Sequence, residues 1–267
     1  MLPLLALPYP PEVLLLAALV VAVAYTAFGL AGFGSTVIAL PLLAHFFALK
    51  FAVPLLMLLD VAAFLLFGAR ARRRIQYAEI AWLLPFILVG MAAGLILLIE
   101  VAEQKLIAVL GAFLLLYAGY SLVRERFGRG APALLSRAWC VPIGLGGGVF
   151  SALFGTGGVL FAIYNAGRIR DKKALRATNA AMIVLSSFVR VFLFGAAGLL
   201  TQDGLFATAF LLLPALLGGV WLGNRLHVMV PAAAVVKAVY ALLVIAGLLL
   251  LARSLPALFA PSVLSAL

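Results

Sequence analysis

The chain has 267 residues, 67% of them hydrophobic and 10% charged, with a formal net charge of +11 and a mean hydropathy of +1.28. A water-soluble domain of this size has no use for so much apolar surface, whereas a polytopic helical membrane protein requires it. The apolar runs are continuous rather than alternating, which argues against membrane β-strands, and the basic residues lie between apolar segments rather than in stacked solvent-facing patches, which argues against a nucleic-acid partner.

Pro3, Pro8, Pro10 and Pro11 open the chain with no basic stretch before the first apolar run, so a cleaved signal peptide is not expected and the first membrane segment should start near Glu12. Apolar segments follow at 12–29, 35–49, 51–69, 78–99, 103–123, 139–153, 157–167, 174–198, 204–223 and 232–253, five in each half. The expected fold class is an all-α integral membrane protein. Segments 35–49, 139–153 and 157–167 reach only roughly 17–23 Å as helices, short of a hydrocarbon core of roughly 30 Å. They read as parts of two re-entrant or short helical hairpins, 12–49 and 139–167.

Each hairpin turns on a Gly-rich break. The first is Gly29-Leu30-Ala31-Gly32-Phe33-Gly34-Ser35-Thr36, with Pro41 beyond it; the second is Phe154-Gly155-Thr156-Gly157-Gly158. A shift of 123 positions places Gly32 on Gly155, Gly34 on Gly157, Ser35 on Gly158 and Lys50 on Lys173. Pro85, Gly90 and Gly94 recur as Pro214, Gly219 and Gly223 at a shift of 129; these spaced glycines point to close helix packing. Backbone freed by a break inside a membrane has no water to satisfy it, so a recurrent break points to function.

The Lys/Arg distribution supplies orientation. Arg70, Arg72, Arg73 and Arg74; Arg124, Arg126, Arg129 and Arg137; Arg168, Arg170, Lys172, Lys173 and Arg176; and Arg225 make 14 of the 19 basic residues, and all fall in loops expected to be cytoplasmic. Glu100, Glu103 and Lys105, and Asp203, mark the opposite loops. The first hairpin then enters from outside, the second from the cytoplasm, and both termini lie outside. This predicts an inverted-topology repeat, each half a hairpin plus three transmembrane helices. The first repeat would cover 12–123, a basic cytoplasmic linker 124–137, and the second repeat 139–253.

At each break a new helix begins, near Ser35 and near Gly157. Its first N–H groups lack helical partners and its dipole is positive there, which favours an anion. Ser35, Thr36 and Thr156 add hydroxyl donors. Arg190, in the middle of 174–198, is a permanent charge that must face a cavity or a partner; Asp60, mid-segment in 51–69, is its natural ion-pair partner or a carrier of a coupling proton. The candidate substrate-binding residues are Gly32, Gly34, Ser35, Thr36, Gly155, Thr156, Gly157, Gly158, Asn179 and Arg190. Asn165, Thr178, Ser186 and Ser187 are polar lining or interhelical bonds. His45 and Lys237 read as interfacial, Trp82, Trp139 and Trp221 as interface anchors, and the single cysteine, Cys140, as a small apolar helix residue. No metal-ligand or nucleotide-binding motif occurs, no cofactor is expected, and single acids and histidines at these spacings disfavour an intramembrane enzyme.

At these residues the chain resembles the TauE/SafE sulfite exporter family, also called the sulfonate uptake permeases. Each half of that family begins with a G-x-G-G-G break followed by apolar residues and a proline. Here the copies are Gly32-Phe33-Gly34-Ser35-Thr36 with Pro41 and Gly155-Thr156-Gly157-Gly158-Val159 with Tyr164 in the proline's place; Lys172-Lys173-Ala174-Leu175-Arg176-Ala177-Thr178-Asn179 is also similar to the family's second half. The resemblance covers almost the whole chain. It implies a secondary transporter of sulfite, thiosulfate or an organosulfonate in the cytoplasmic (inner) membrane of a bacterium, with protons as a candidate coupling ion. Another small anion such as a carboxylate, or a channel, fits the same residues. Direction and oligomeric state are not encoded in these motifs.

Overall fold

The computed structural model describes residues 9–31, 34–67, 75–127, 135–226 and 232–259, and the side chains of all of these except 31, 67, 124–127, 172, 232–239 and 255–259. Gly32, Arg70, Arg72, Arg73, Arg74 and Arg129 therefore lie outside the described residues, as do the side chains of Arg124, Arg126, Lys172 and Lys237.

The described residues form ten α-helices: α1 (Pro11–Ala31), α2 (Ser35–Leu43), α3 (Leu49–Phe67), α4 (Tyr77–Glu100), α5 (Glu103–Phe127), α6 (Cys140–Phe154), α7 (Gly158–Arg168), α8 (Lys172–Ala196), α9 (Leu205–Leu226) and α10 (Ala232–Phe259), with a single 3-10 turn at Arg137–Trp139 before α6. Among the described residues, seven helical segments are long and apolar enough to cross a membrane by length and composition. The protein is an all-α, multi-pass membrane protein, as its sequence predicts. Each expected segment has its helix. Two ends differ most: α10, expected to stop at 253, runs on to Phe259, and α2, expected to run to residue 49, ends at Leu43. At α2 the reason is local: His45 Nδ1 donates to the Pro41 carbonyl at 2.9 Å and Arg253 Nη1 to the Ala44 carbonyl at 2.9 Å, so side chains satisfy carbonyls that another helical turn would otherwise take.

Hydrogen bonds and ring contacts between helix ends order the bundle. At one end, the Tyr9 ring packs on Phe47 and Phe51, Lys50 Nζ donates to the Ile99 carbonyl at 2.7 Å, the Leu49 N–H to Glu103 at 2.9 Å, and Gln202 Nε2 to the Lys50 carbonyl at 2.8 Å. The start of α1 thus lies beside the end of α2, the start of α3, the α4–α5 turn and the start of α9. At the other end, the Gln76 N–H donates to Thr178 Oγ1 at 3.0 Å, Arg168 pairs with Glu79 at 3.0 Å, and Arg137 lies over the Trp82 ring at 5.4 Å. The start of α4 there meets the starts of α6 and α8 and the end of α7. The α1–α2 hairpin therefore opens at the Lys50 end and the α6–α7 hairpin at the Glu79 end.

Glycine sets the tightest helix contacts. A Cβ on Gly90 would stand 2.2 Å from the Leu145 carbonyl oxygen and one on Gly94 2.6 Å from that of Val149; on Gly219 and Gly223 it would stand 2.5 and 2.3 Å from those of Ala22 and Thr26. These positions advance together, so α4 runs parallel to α6, and α9 to α1. The packing role expected of these four glycines is the one they have. α5 and α10 pair antiparallel, with Gly111 against Gly247 and the Tyr117 ring against Tyr240. The core gathers around α2 and α3, where Leu40, Leu43, Leu55, Leu56 and Met57 are fully buried, while Leu15, Leu116, Phe192 and Phe210 are exposed on the outside, as lipid-facing side chains are.

Candidate functional site

Asp60 sits near the middle of α3, where every residue after Lys50 in the first turn is otherwise apolar. A carboxylate there needs donors from its neighbours. It has three hydroxyls: Tyr25 Oη from α1 at 2.8 Å and Ser35 Oγ at 3.0 Å, both on Oδ1, and Thr36 Oγ1 at 2.6 Å on Oδ2. Ser35 and Thr36 open α2, immediately after Gly34, whose φ of 95° requires the left-handed region. Glycine at the break thus turns the chain so that the first two residues of the new helix face α3.

From the other half, α8 brings Arg190. It is 1% exposed, among the largest fully buried side chains. Its Nη2 donates to Ser187 Oγ at 3.1 Å and lies 3.9 Å from Asp60 Oδ2. Its Nε and Nη1 have no hydrogen-bond partner, and neither does the buried hydroxyl of Thr156. The ion pair expected between Arg190 and Asp60 is present, but it uses one edge of the guanidinium and leaves the rest open.

The second break supplies the remaining wall. Gly155 ends α6 with φ 70°, and the Thr156 N–H folds back to the Phe150 carbonyl at 3.3 Å. A Cβ on Gly155 would stand 2.8 Å from Arg190 Nη1 and 2.6 Å from Thr36 Cγ2. The two breaks, distant in sequence, touch here, with the open edge of Arg190 against bare backbone. A hydroxyl-lined carboxylate, a half-satisfied guanidinium and two helix starts without side-chain caps form a cluster suited to a small oxyanion.

The profile of the sulfite exporter TauE/SafE family matches residues 16–250. The chain belongs to this family. It is also 29% identical over 195 residues to a protein of Comamonas testosteroni described as a probable inner membrane transporter protein TsaS, an alignment covering 73% of this chain and 80% of that protein. No solved structure matches it.

For this family member the expected site residues divide. Ser35, Thr36, Gly155 and Arg190 come together, with Asp60 among them and Gly34 and Thr156 alongside. The Ser35 and Thr36 hydroxyls, expected to face a substrate, donate to Asp60. Gly157 has helical φ, and a Cβ on it would stand 2.1 Å from the Gly147 carbonyl oxygen, so it lets the two helices of the second hairpin close on each other; Gly158 faces Ile183. The shift that aligns Gly34 with Gly157 therefore joins residues of different conformation. Asn179 lies three turns from Arg190 along α8, where its Oδ1 accepts from Asn165 Nδ2 at 2.7 Å.

Two features escaped sequence reasoning. Tyr25, a polar ring in the middle of an apolar run, was itself the signal: a buried tyrosine hydroxyl usually has a partner. The second is the cluster at the Glu79 end, where Tyr164 Oη donates to Glu79 at 3.1 Å beside the Arg168–Glu79 pair. Tyr164, which stands where the family has proline, thus links the second hairpin to α4.

Proposed function

We propose that the protein is a secondary transporter of a small sulfur-containing anion, such as sulfite, thiosulfate or an organosulfonate, working by alternating access across the inner membrane. The observation that carries this reading is Arg190: a guanidinium buried among hydrophobic helices, two of its three nitrogens unpartnered, facing the contact between the two Gly-rich breaks. Such a group calls for an anion. Family membership supplies the sulfur chemistry. An oxyanion approaching Gly155 would meet Arg190 Nη1 and Nε, the Thr156 hydroxyl and the start of α7.

We read the two halves as an inverted repeat, supported by the reciprocal pairing of α1 with α9 and α6 with α4 and by the opposite openings of the two hairpins. The Glu79 end, with Arg137, Arg168, Arg170, Lys173, Arg176 and Arg225, is the cytoplasmic side under the positive-inside rule. All three tryptophans lie toward that end, and Arg225 stacks on Trp221 at 4.5 Å, consistent with an interface there. The start of α1 and the end of α10 are then on the external side.

Flux of labelled sulfite, thiosulfate and methanesulfonate into proteoliposomes tests the reading. Saturable flux of one of them, lost in Arg190→Gln and partly kept in Arg190→Lys, is the expected result. Equal flux in Arg190→Gln would overturn the site; no sulfur anion carried, with a carboxylate carried instead, would overturn the substrate class.

A further inference from the structure

Asp60 occupies the position of an internal anion. Its oxygens collect the hydroxyls of Tyr25, Ser35 and Thr36 and face Arg190, a donor set that would equally suit a sulfonate or sulfite. Asp60 is 6% exposed and Arg190 1%, so their charges cancel where little water screens them. Adding a monoanion to this neutral pair leaves one uncompensated negative charge inside the membrane, which is strongly unfavourable. A proton on Asp60 removes that charge and releases Arg190 and the hydroxyls, because a neutral acid holds cationic and hydroxyl donors less strongly than a carboxylate.

We propose that Asp60 is a proton-binding site coupled to the anion at Arg190, so that the anion binds and crosses with a proton. The inference rests on the anion reading of Arg190. In the binding step an O–H bond forms on an Asp60 oxygen with a proton from water on the side of approach, the Asp60–Arg190 pair breaks, and Arg190 pairs with the anion. On release the O–H bond breaks, the proton returns to water on the far side, and the pair re-forms. Among the described residues, the titratable or charged groups facing Asp60 are Tyr25 from α1 and Arg190 from α8. α2 presents hydroxyls, and α4 and α9 carry Glu79, Glu100 and Arg225 at their ends.

The test is calorimetry of methanesulfonate, which stays a monoanion across the neutral range, binding to the purified full chain in buffers of different ionisation enthalpy. The wild type is expected to take up about one proton per anion, its affinity falling about tenfold per pH unit as pH rises while Asp60 is ionised in the free protein. Asp60→Asn is expected to keep binding, with no proton uptake and no pH dependence. Wild-type binding without proton uptake, or equal uptake in Asp60→Asn, overturns the coupling; the wild-type measurement requires no variant to fold. If Arg190→Gln abolishes binding in that case, the anion site stands without the proton. No methanesulfonate binding by wild type, or unchanged binding in Arg190→Gln, overturns the site and the coupling with it.

Discussion

Asp60 shows how little of a charged residue's role lies in its own position. A lone carboxylate in an apolar helix is costly, and three hydroxyls and one cation from three other helices stabilise it. Tyr25→Phe removes one of these donors and is expected to destabilise the protein by about 1.5–3 kcal/mol, as for a hydrogen bond to a charged group; thermal unfolding in detergent measures it. Gly155→Ala is expected to do two things at once. A side chain at φ 70° is strained by about 1–2 kcal/mol, and its methyl would press on Thr36 and Arg190 Nη1. Lower melting temperature together with weaker anion binding is the expected result; loss of stability with unchanged affinity would remove the second break from the site.

Helix pairs set the precision with which these residues meet. α1 against α9 and α4 against α6 approach so closely that carbonyl oxygens occupy the space a methyl would need. Gly90→Ala and Gly223→Ala are therefore expected to lower the melting temperature sharply. Gly119→Ala in α5 and Gly218→Ala in α9, where nothing lies within 4 Å of the added carbon, are expected to be neutral or to stabilise by up to about 1 kcal/mol through helix propensity. Equal effects at all four positions would mean that backbone entropy, not packing, governs them. α7 depends on a different contact, its end being held to α4 by Arg168 and Tyr164 on Glu79. Arg168→Ala is expected to raise amide exchange across residues 158–168 while leaving α9 unchanged.

For the whole molecule, the decisive property is the direction of the two hairpins. With Cys140 replaced by Ala, Lys50→Cys and Lys173→Cys are expected to react with an impermeant thiol reagent from opposite sides of the membrane. Labelling of both from one side would refute the inverted arrangement and with it the assignment of the Glu79 end to the cytoplasm. In the proposed arrangement, two breaks entering from opposite faces meet where Thr36 and Gly155 touch, which would place one cluster between two halves that rock about it.

Helix content, the ten segments and the two breaks were legible in the sequence because they follow from local properties: the length of an apolar run, the backbone's need for internal hydrogen bonds in hydrocarbon, and the torsional freedom of glycine. The Asp60–Arg190 pair was legible for a related reason, since two opposite charges inside apolar helices have few other ways to be satisfied. Only the tertiary structure brought Tyr25 to Asp60, turned the Ser35 and Thr36 hydroxyls onto that carboxylate, gave Gly157 a packing role and set Asn179 apart with Asn165. These depend on how far each helix slides along its neighbours, and a slide of one turn, about 5.4 Å, exchanges one side chain for another at the site. Composition does not encode that offset; the glycine contacts between α1 and α9 and between α4 and α6 fix it.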